Sequence, residues 1–185
     1  MRTERLIWFL PLLAVLLLAG LLWRGLYSHD EVIPSARVGQ PLPAVRLPRL
    51  DAPDRYLDQT ALIARAPLLI NFFASWCGPC QVEHPLLTDL AARGITIIGI
   101  AYKDEPADTR RFLDRLGNPF ADVLMDRQGR ALIEFGASGV PESFLVDRTG
   151  RIVWHQPGPL TEEVIARELL PRLATLDKRT REGGR

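Results

Sequence analysis

The chain has 185 residues, of which 47% are hydrophobic and 24% are charged, and its formal net charge at pH 7 is +1. A nearly neutral chain gives no electrostatic reason to bind nucleic acid, so we expect no nucleic-acid partner. The two cysteines, Cys77 and Cys80, are separated by only two residues.

The first feature in chain order is an apolar segment near the N-terminus. Residues 6–23 form an uncharged stretch of 18 residues, with Arg2 and Arg5 before it and Arg24 after it. As a helix this stretch would be about 27 Å long, close to the roughly 30 Å hydrocarbon core of a bilayer. We predict a transmembrane anchor or uncleaved signal at 6–23, with a cytoplasmic tail at 1–5 and the remainder outside the cytoplasm. A cleaved signal peptide is the alternative, because a basic start and an apolar run are common to both.

A linker and an edge strand are predicted next. Five prolines between residues 28 and 53 indicate an extended conformation. We place the linker at 24–37 and a single domain at 38–176, with a first strand near residues 44–47. The charged segment at 177–185, which ends in glycines and an arginine, is predicted to be a flexible tail.

The first half of the domain predicts a strand, a helix and a second strand. Apolar or β-branched runs at 68–73 and 95–101 indicate buried strands. The helix between them is predicted at 79–93, with a kink at Pro85 and an end at Gly94.

The second half predicts a helix, a hairpin and a final helix. Apolar spacing indicates a helix at 106–116, and strands at 143–146 and 151–154 flank a turn-like segment. Thr161 is predicted to cap a last helix that ends near residue 176. A β-α-β entry followed by a hairpin and a helix predicts an α/β fold, with a mixed central sheet covered by helices on both faces.

The cysteines lie in the segment Trp76-Cys77-Gly78-Pro79-Cys80, between the first buried strand and the first helix of the domain. A cysteine at a helix start lies beside unpaired backbone N–H groups and the positive end of the helix dipole, which favours the thiolate. Pro79 suits the first turn, because the N–H that proline lacks would have no acceptor there. We predict a redox-active disulfide with Cys77 as the nucleophile and Cys80 as the resolving cysteine.

Other uses of the cysteine pair are weaker hypotheses. Structural zinc needs four ligands, and beside the cysteines only His84 lies at a suitable spacing, four residues after Cys80. We therefore expect no metal and no organic cofactor. A static structural disulfide would close a very short loop and stabilise little. A serine hydrolase is excluded because residues 136–139 lack the G-x-S-x-G spacing.

Several segments together resemble one group of thioredoxin-fold oxidoreductases. Beside the cysteine segment, they are Val38-Gly39-Gln40-Pro41-Leu42-Pro43, Cys80-Gln81-Val82-Glu83-His84-Pro85, Tyr102-Lys103-Asp104, Leu116-Gly117-Asn118-Pro119-Phe120 and Gly139-Val140-Pro141-Glu142-Ser143-Phe144-Leu145-Val146-Asp147. The chain is similar in these segments to the DsbE/CcmG family, membrane-anchored thiol:disulfide oxidoreductases of cytochrome c maturation. The resemblance covers about residues 36–176 and implies a thioredoxin-like fold.

The resemblance implies roles for residues around the dithiol. Pro141 is the implied cis-proline opposite the dithiol, where it and Val140 help to receive an extended substrate segment. Glu83 and Glu142 match acidic positions near the family's active site, where they would raise thiol pKa values and assist proton transfer. The alternative is that both are solvated surface carboxylates, the commoner location of a glutamate.

Two further features concern the thiolate itself. Trp76 is expected to shield the Cys77 thiolate. Gly78 and Pro79 are the pair found in thioredoxin, where many DsbE/CcmG relatives carry other residues. Because of this difference, the resemblance does not indicate the redox potential, although it still implies the same role in thiol–disulfide exchange.

The resemblance also implies partners and a location. The substrate would be the C-x-x-C-H disulfide of apocytochrome c or a CcmH-type maturation protein, and a DsbD/CcdA-type membrane reductant would restore the dithiol. The domain would lie in the periplasm, anchored in the bacterial inner membrane. The alternatives are a general exported exchange enzyme, such as a TlpA-like reductase, an oxidant or an isomerase, and a redox-inactive assembly chaperone.

Overall fold

The computed structural model describes residues 10–27 and 37–183. They belong to two units that divide between residues 34 and 35, and the described residues of the first unit form helix α1 (Leu10–Tyr27). Within the part of the chain that the structure describes, no helix is both long enough and apolar enough to cross a membrane. The predicted tail at 1–5, the first four residues of the predicted span and most of the linker lie outside the described residues.

The second unit is an α/β domain. Its strands are β1 (Arg46–Pro48), β2 (Tyr56–Asp58), β3 (Leu68–Phe73), β4 (Ile97–Tyr102), β5 (Asp122–Asp126), β6 (Glu142–Val146) and β7 (Ile152–Pro157). Its helices are α2 (Gln59–Ile63), α3 (Gly78–Ala92), α4 (Pro106–Leu116), α5 (Arg130–Glu134), α6 (Glu162–Val164) and α7 (Leu170–Gly183). A π-helical turn, Ile165–Leu169, joins α6 to α7.

The central sheet has five strands in the order β5-β4-β3-β6-β7. Strands β3, β4 and β5 are parallel, whereas β6 pairs antiparallel with both β3 and β7. The predicted mixed sheet and its hairpin are therefore confirmed. Strands β1 and β2 form a separate antiparallel pair.

Helices cover both faces of the sheet, and this explains the continuous apolar run of β3. Side chains alternate along a strand, so Leu69 and Phe73 pack in one cluster with α3 and α4, while Ile70 and Phe72 pack in a second cluster with α2 and α5. The first cluster also contains both cysteines. We call its side of the sheet the dithiol face and the other side the opposite face.

Several predicted elements agree closely with the structure. The predicted strand at 68–73 and helix at 106–116 match β3 and α4. Thr161 caps the last helical segment, because its side-chain oxygen accepts the Val164 N–H at 3.2 Å. Helix α3 begins one residue before its predicted start and continues through Pro85.

Other boundaries differ from the predictions. Strand β1 begins two residues later than predicted, because the Val45 N–H bonds to the Pro43 carbonyl in a tight turn. Strand β4 begins at Ile97, because the Ile95 N–H still bonds to the Leu90 carbonyl at the end of α3. Helix α7 continues to Gly183, so the last helix ends later than the predicted end near residue 176, while the flexibility of the tail stays a prediction. Elements β2, α2, β5 and α5 were not predicted.

Candidate active site

A disulfide joins Cys77 to Cys80 in the first turn of α3. Cys77 is the N-cap residue, with an extended backbone, and its Sγ accepts the Cys80 N–H at 3.2 Å. The sulfur therefore occupies the place that a serine or aspartate oxygen takes in an ordinary N-cap. Pro79 lies in the first helical turn, as predicted. Because the helix dipole stabilises a negative charge at this end, the fold favours a thiolate at Cys77 on reduction.

Solvent access alone barely distinguishes the two cysteines. Cys77 is 4% exposed and Cys80 is 2% exposed. Cys80 is buried, and Cys77 is nearly as well buried. The difference between them is therefore electrostatic and positional, since only the Cys77 sulfur lies at the N-cap.

Trp76 lies on the surface beside the disulfide. Its side chain is 59% exposed, and its indole N–H donates to the Lys103 carbonyl at 3.3 Å. Its ring centroid lies 6.4 Å from that of Tyr102. Trp76 is thus not a core aromatic residue, whereas its shielding of a thiolate stays a prediction.

Asp104 connects the loop after β4 to the segment before the disulfide. This buried carboxylate accepts hydrogen bonds from the backbone N–H of Ser75 at 2.7 Å, the hydroxyl of Ser75 at 2.8 Å and the hydroxyl of Thr109 at 3.0 Å. In the sequence, residues 102–104 stand out only as a segment similar to the DsbE/CcmG family, and this role of Asp104 was not predicted. Its signal is an acidic residue at the carboxyl end of a parallel strand, where neighbouring strands also end.

The loop before β6 lies against the disulfide. The Val140–Pro141 peptide bond is cis, as the family resemblance implies. The carbonyl oxygen of Val140 lies 3.7 Å from Sγ of Cys77. The structure therefore brings Val140 and Pro141 to the reactive sulfur from a distant part of the sequence.

Glu142 is buried at the start of β6 and anchors this loop. One carboxylate oxygen accepts the N–H of Ser138 at 2.7 Å, the hydroxyl of Ser138 at 2.7 Å and the N–H of Gly139 at 3.0 Å. The other lies 2.6 Å from Nε2 of His155. Burial acts to raise the pKa of Glu142, but hydrogen bonds from His155 and Ser138 outweigh it and hold the pKa below its ordinary value. The ionised carboxylate of Glu142 therefore holds this loop in place.

Glu83 is buried on the dithiol face, three residues after Cys80 on α3. Its Oε1 accepts a hydrogen bond from the Asn71 amide at 2.9 Å, and its Oε2 accepts the Leu160 N–H at 2.6 Å. Burial raises the pKa of Glu83 to about 7, although these two hydrogen bonds partly oppose the rise. Glu83 can therefore gain or lose a proton near neutral pH.

Both glutamates are buried, so the alternative of solvated surface carboxylates is wrong for each. Two polar residues near Glu83 were not predicted from the sequence. They are Asn71, which bonds to Glu83, and Ser143, whose hydroxyl oxygen lies 3.1 Å from the Asn71 amide nitrogen. The signal for Asn71 is a single polar residue within the apolar run of β3.

His84 does not turn toward the cysteines. Its ring packs edge-on against Phe112, and its Nε2 lies 2.8 Å from the Gly117 carbonyl oxygen. Burial lowers the pKa of His84. Across residues 10–27 and 37–183, no group of three or more histidine, cysteine and acidic side chains could hold a metal ion.

Known proteins match most of the chain. A family model described as Redoxin matches residues 37–170. HelX of Rhodobacter capsulatus, a thiol:disulfide interchange protein, is 39% identical over 170 residues, covering 90% of this chain and 94% of that protein. DsbE of Pseudomonas aeruginosa, also a thiol:disulfide interchange protein, is 38% identical over 168 residues, covering 91% and 93%. The structure is also similar to the crystal structure of a protein from Chlorobium tepidum that is described as a putative thiol:disulfide interchange protein DsbE. The TM-score is 0.59 at 25% sequence identity, and the match covers 74% of this chain and 95% of that one.

Proposed function

The chain belongs to the DsbE/CcmG family of thiol:disulfide oxidoreductases, and on this premise we propose that it reduces the disulfide of apocytochrome c, or of a CcmH-type partner, before haem attachment. The observation that carries the proposal is the Cys77–Cys80 disulfide at the N-cap of α3, with the Val140 carbonyl 3.7 Å from the Cys77 sulfur. A solvent-facing rim surrounds this pair, because Trp76, Gly78 and Pro79 are exposed.

The reaction balances with the two cysteines alone. In the reduced protein the Cys77 thiolate attacks one sulfur of the partner disulfide, and the other partner sulfur leaves as a thiolate. Cys80 then loses its proton and attacks the Cys77 sulfur of the mixed disulfide. The Cys77–Cys80 bond forms, and the second partner thiolate is released. Two electrons pass to the partner, so the proposal requires no metal and no organic cofactor.

Glu83 is the proposed acceptor for the Cys80 proton. Residues three apart on a helix are neighbours on one face, and Glu83 follows Cys80 at that spacing on α3. Its raised pKa suits a group that takes up a proton near neutral pH and releases it later.

Val140 and Pro141 are the proposed receiving surface for the partner's extended segment. The Val140 carbonyl oxygen lies 3.7 Å from Sγ of Cys77, and Glu142 holds the preceding loop through Ser138 and Gly139. This arrangement supports a role in presenting the partner sulfur to Cys77.

The proposed location is the periplasmic side of the bacterial inner membrane, with residues 6–23 as a single-pass anchor. It is supported by the uncharged, leucine-rich character of that segment in the sequence. A DsbD/CcdA-type membrane carrier is the proposed reductant, because an exported dithiol must be reduced again after each turnover.

A trapping experiment tests the partner. Cys80→Ser leaves Cys77 free to form the mixed disulfide but prevents its release, so we expect a covalent complex in cells that carries apocytochrome c or a CcmH-type protein. Cys77→Ser is the matched control and should trap nothing. Capture of many unrelated exported proteins, without either of these partners, would favour the general exchange enzyme.

Two measurements separate the remaining alternatives. A reduction potential of about −270 mV for the Cys77–Cys80 pair agrees with a reductant, whereas about −120 mV would indicate an oxidant. Replacing both cysteines by serine should abolish the contribution to holo-cytochrome c. A redox-inactive chaperone would retain that contribution.

A further inference from the structure

The side chain of Asn71 has an unusual environment beneath the active site. It is fully buried on β3, and its amide nitrogen donates to Oε1 of Glu83 at 2.9 Å and to Oγ of Ser143 at 3.1 Å. Its carbonyl oxygen, Oδ1, is also buried and has no hydrogen-bond partner within the described residues. A buried polar atom without a partner is rare and calls for a reason.

The geometry around Glu83 suggests that reason. Each carboxylate oxygen faces a donor, because Oε1 faces the Asn71 amide and Oε2 faces the Leu160 N–H. Both hydrogen bonds of Glu83 come from donors, so within the described residues no acceptor is seen for a proton added to either oxygen. The Leu160 N–H is part of the backbone and cannot be exchanged for an acceptor. The Asn71 amide can rotate about its last side-chain torsion, which has two broad preferred orientations.

We propose that the Asn71 amide turns over when Glu83 takes up the proton released by Cys80, and so keeps Glu83 hydrogen-bonded in both protonation states. Asn71 is a positioning residue in this scheme, because it acts through Glu83. The inference rests on the proposed role of Glu83 as the proton acceptor. The transferred species is one proton, which moves from the Cys80 thiol to the Glu83 carboxylate.

The hydrogen bonds balance across the two states. With Glu83 ionised, the two amide hydrogens of Asn71 bond to Glu83 and Ser143, as the structure shows. After rotation, Oδ1 accepts the new Glu83 O–H and the Ser143 hydroxyl, and a carbonyl oxygen has capacity for both. Two hydrogen bonds among these three side chains exist in either state, and after rotation the amide nitrogen takes the position that Oδ1 leaves, where no partner faces it. The unpartnered Oδ1 is therefore the acceptor that protonated Glu83 requires.

Few other titratable groups face Glu83 among the described residues. Cys77 and Cys80 lie in the first turn of the same helix. His84 turns its ring toward Gly117, and Glu142 and His155 lie on the opposite face of the sheet. The thiols and Glu83 are therefore the groups whose charges change at this site near neutral pH.

Nuclear magnetic resonance on the reduced full-length protein tests the rotation directly. Carboxyl 13C signals follow the titration of Glu83, while nuclear Overhauser contacts locate the two amide hydrogens of Asn71. Above the Glu83 midpoint we expect contacts from these hydrogens to the Glu83 and Ser143 side chains. Below the midpoint we expect both to disappear. If both persist on either side of the midpoint, the inference is wrong.

Variants provide a kinetic test with a matched control. Asn71→Leu has similar size but no amide. An amide that bonded only to ionised Glu83 would, when removed, raise the pH midpoint for Cys80-dependent release of a mixed disulfide by about one unit, whereas an amide that bonds to both forms should, when removed, shift it by less than about half a unit. Ser143→Ala leaves the Asn71–Glu83 bond intact and is the matched control for a change in this buried site. A rise of about one unit in Asn71→Leu would overturn the inference. If Asn71→Leu does not fold, the resonance contacts of the parent protein decide.

The Glu83→Gln variant distinguishes a failure of this inference from a failure of the proposed role of Glu83. If Glu83→Gln releases the partner at the parent rate at every pH, Glu83 is not the proton acceptor and the proposed mechanism fails. If Glu83→Gln slows release but the Asn71 contacts stay constant through the titration, only the rotation of Asn71 is overturned.

Discussion

Glu83 and Glu142 are two buried glutamates on opposite faces of the same sheet, and their environments drive them toward opposite protonation states. Their exposed fractions are 1% and 2%, so neither side chain has appreciable contact with solvent, although Glu83 lies deeper in the protein. The pKa of Glu83 is nevertheless raised to about 7, whereas that of Glu142 lies below the ordinary value. Low solvent exposure by itself therefore does not decide which carboxyl group holds a proton.

The deeper burial of Glu83 and the number and kind of donors together account for the difference in pKa. Glu83 receives one hydrogen bond from an amide side chain and one from a backbone N–H. Glu142 receives three from Ser138 and Gly139, and its second oxygen lies 2.6 Å from His155. Each donor favours the ionised form, and together those at Glu142 exceed the cost of burial. One glutamate is thus suited to proton exchange, and the other to anchoring a loop.

The largest expected effect is that of removing the anchor. Glu142→Ala leaves the N–H groups of Ser138 and Gly139 and the ring of His155 without their acceptor in a buried site. We expect the free energy of unfolding to fall by about 3–5 kcal/mol, measured by chemical denaturation at pH 7. Glu134→Ala, at an exposed glutamate, is the control and should cost less than about 0.5 kcal/mol. A similar small loss for both variants would remove the anchoring role.

Glu83 should stabilise the protein most at low pH, whereas Glu142, whose pKa is lowered, should stabilise it most at higher pH. The pKa of Glu83 is raised from 4.5 to about 7 in the folded chain, so the folded state binds the proton more tightly. The associated stability is fully present below about pH 4.5 and is lost as the pH rises through about 7. At about 1.4 kcal/mol per pKa unit, the shift corresponds to up to about 3 kcal/mol.

Glu83→Gln should remove this dependence. Between pH 4.5 and 8, the difference in unfolding free energy between variant and parent should move in favour of the variant by up to about 3 kcal/mol. Denaturation curves of the oxidised proteins at several pH values measure it. A constant difference across this range would mean that Glu83 titrates alike in the folded and unfolded chains.

The next effect concerns the rate of the resolving step. If Glu83 accepts the Cys80 proton, the release of a mixed disulfide should show an inflection near pH 7 that Glu83→Gln lacks. At pH 8 we expect release to be slower by about tenfold in the variant, measured by stopped-flow fluorescence with a peptide disulfide. Equal rates and equal pH profiles would assign Glu83 a purely structural role.

The smallest expected effect comes from reducing the donors to Glu142 by one. Ser138→Ala removes the hydroxyl hydrogen bond but leaves the Ser138 N–H in place. We expect the free energy of unfolding to fall by about 1 kcal/mol and the pKa of Glu142 to rise. Titration of the Glu142 carboxyl 13C signal measures this pKa. If this pKa is unchanged, the count of donors does not explain the contrast between the two glutamates.

Local chemistry allowed much of the active site to be predicted from the sequence. The start of α3, the helix α4 and the cap at Thr161 all follow from residues close together in the chain: a cysteine before Gly-Pro, an apolar stripe, and a threonine before two acidic residues. Capping and helical periodicity act over one or two turns, so a single sequence contains the information.

Strand β5 was missed because its ends are acidic residues whose partners are distant. Asp122 is buried by pairing with Arg49 and Arg65, and Asp126 accepts the Leu132 N–H at 3.1 Å. A short segment that begins and ends with aspartate does not resemble a buried strand until these partners are known.

The sequence by itself determined that the chain carries a dithiol at a helix start in an α/β domain, because adjacent residues create the N-cap, the strand and the turn. Only the tertiary structure decided the protonation states around it. Glu83 meets Leu160, which is 77 residues away, and Asn71 meets Ser143, which is 72 residues away. The pKa of a buried carboxyl group depends on the donors that the fold brings to it, and those donors come from elements that adjoin only after the sheet has formed.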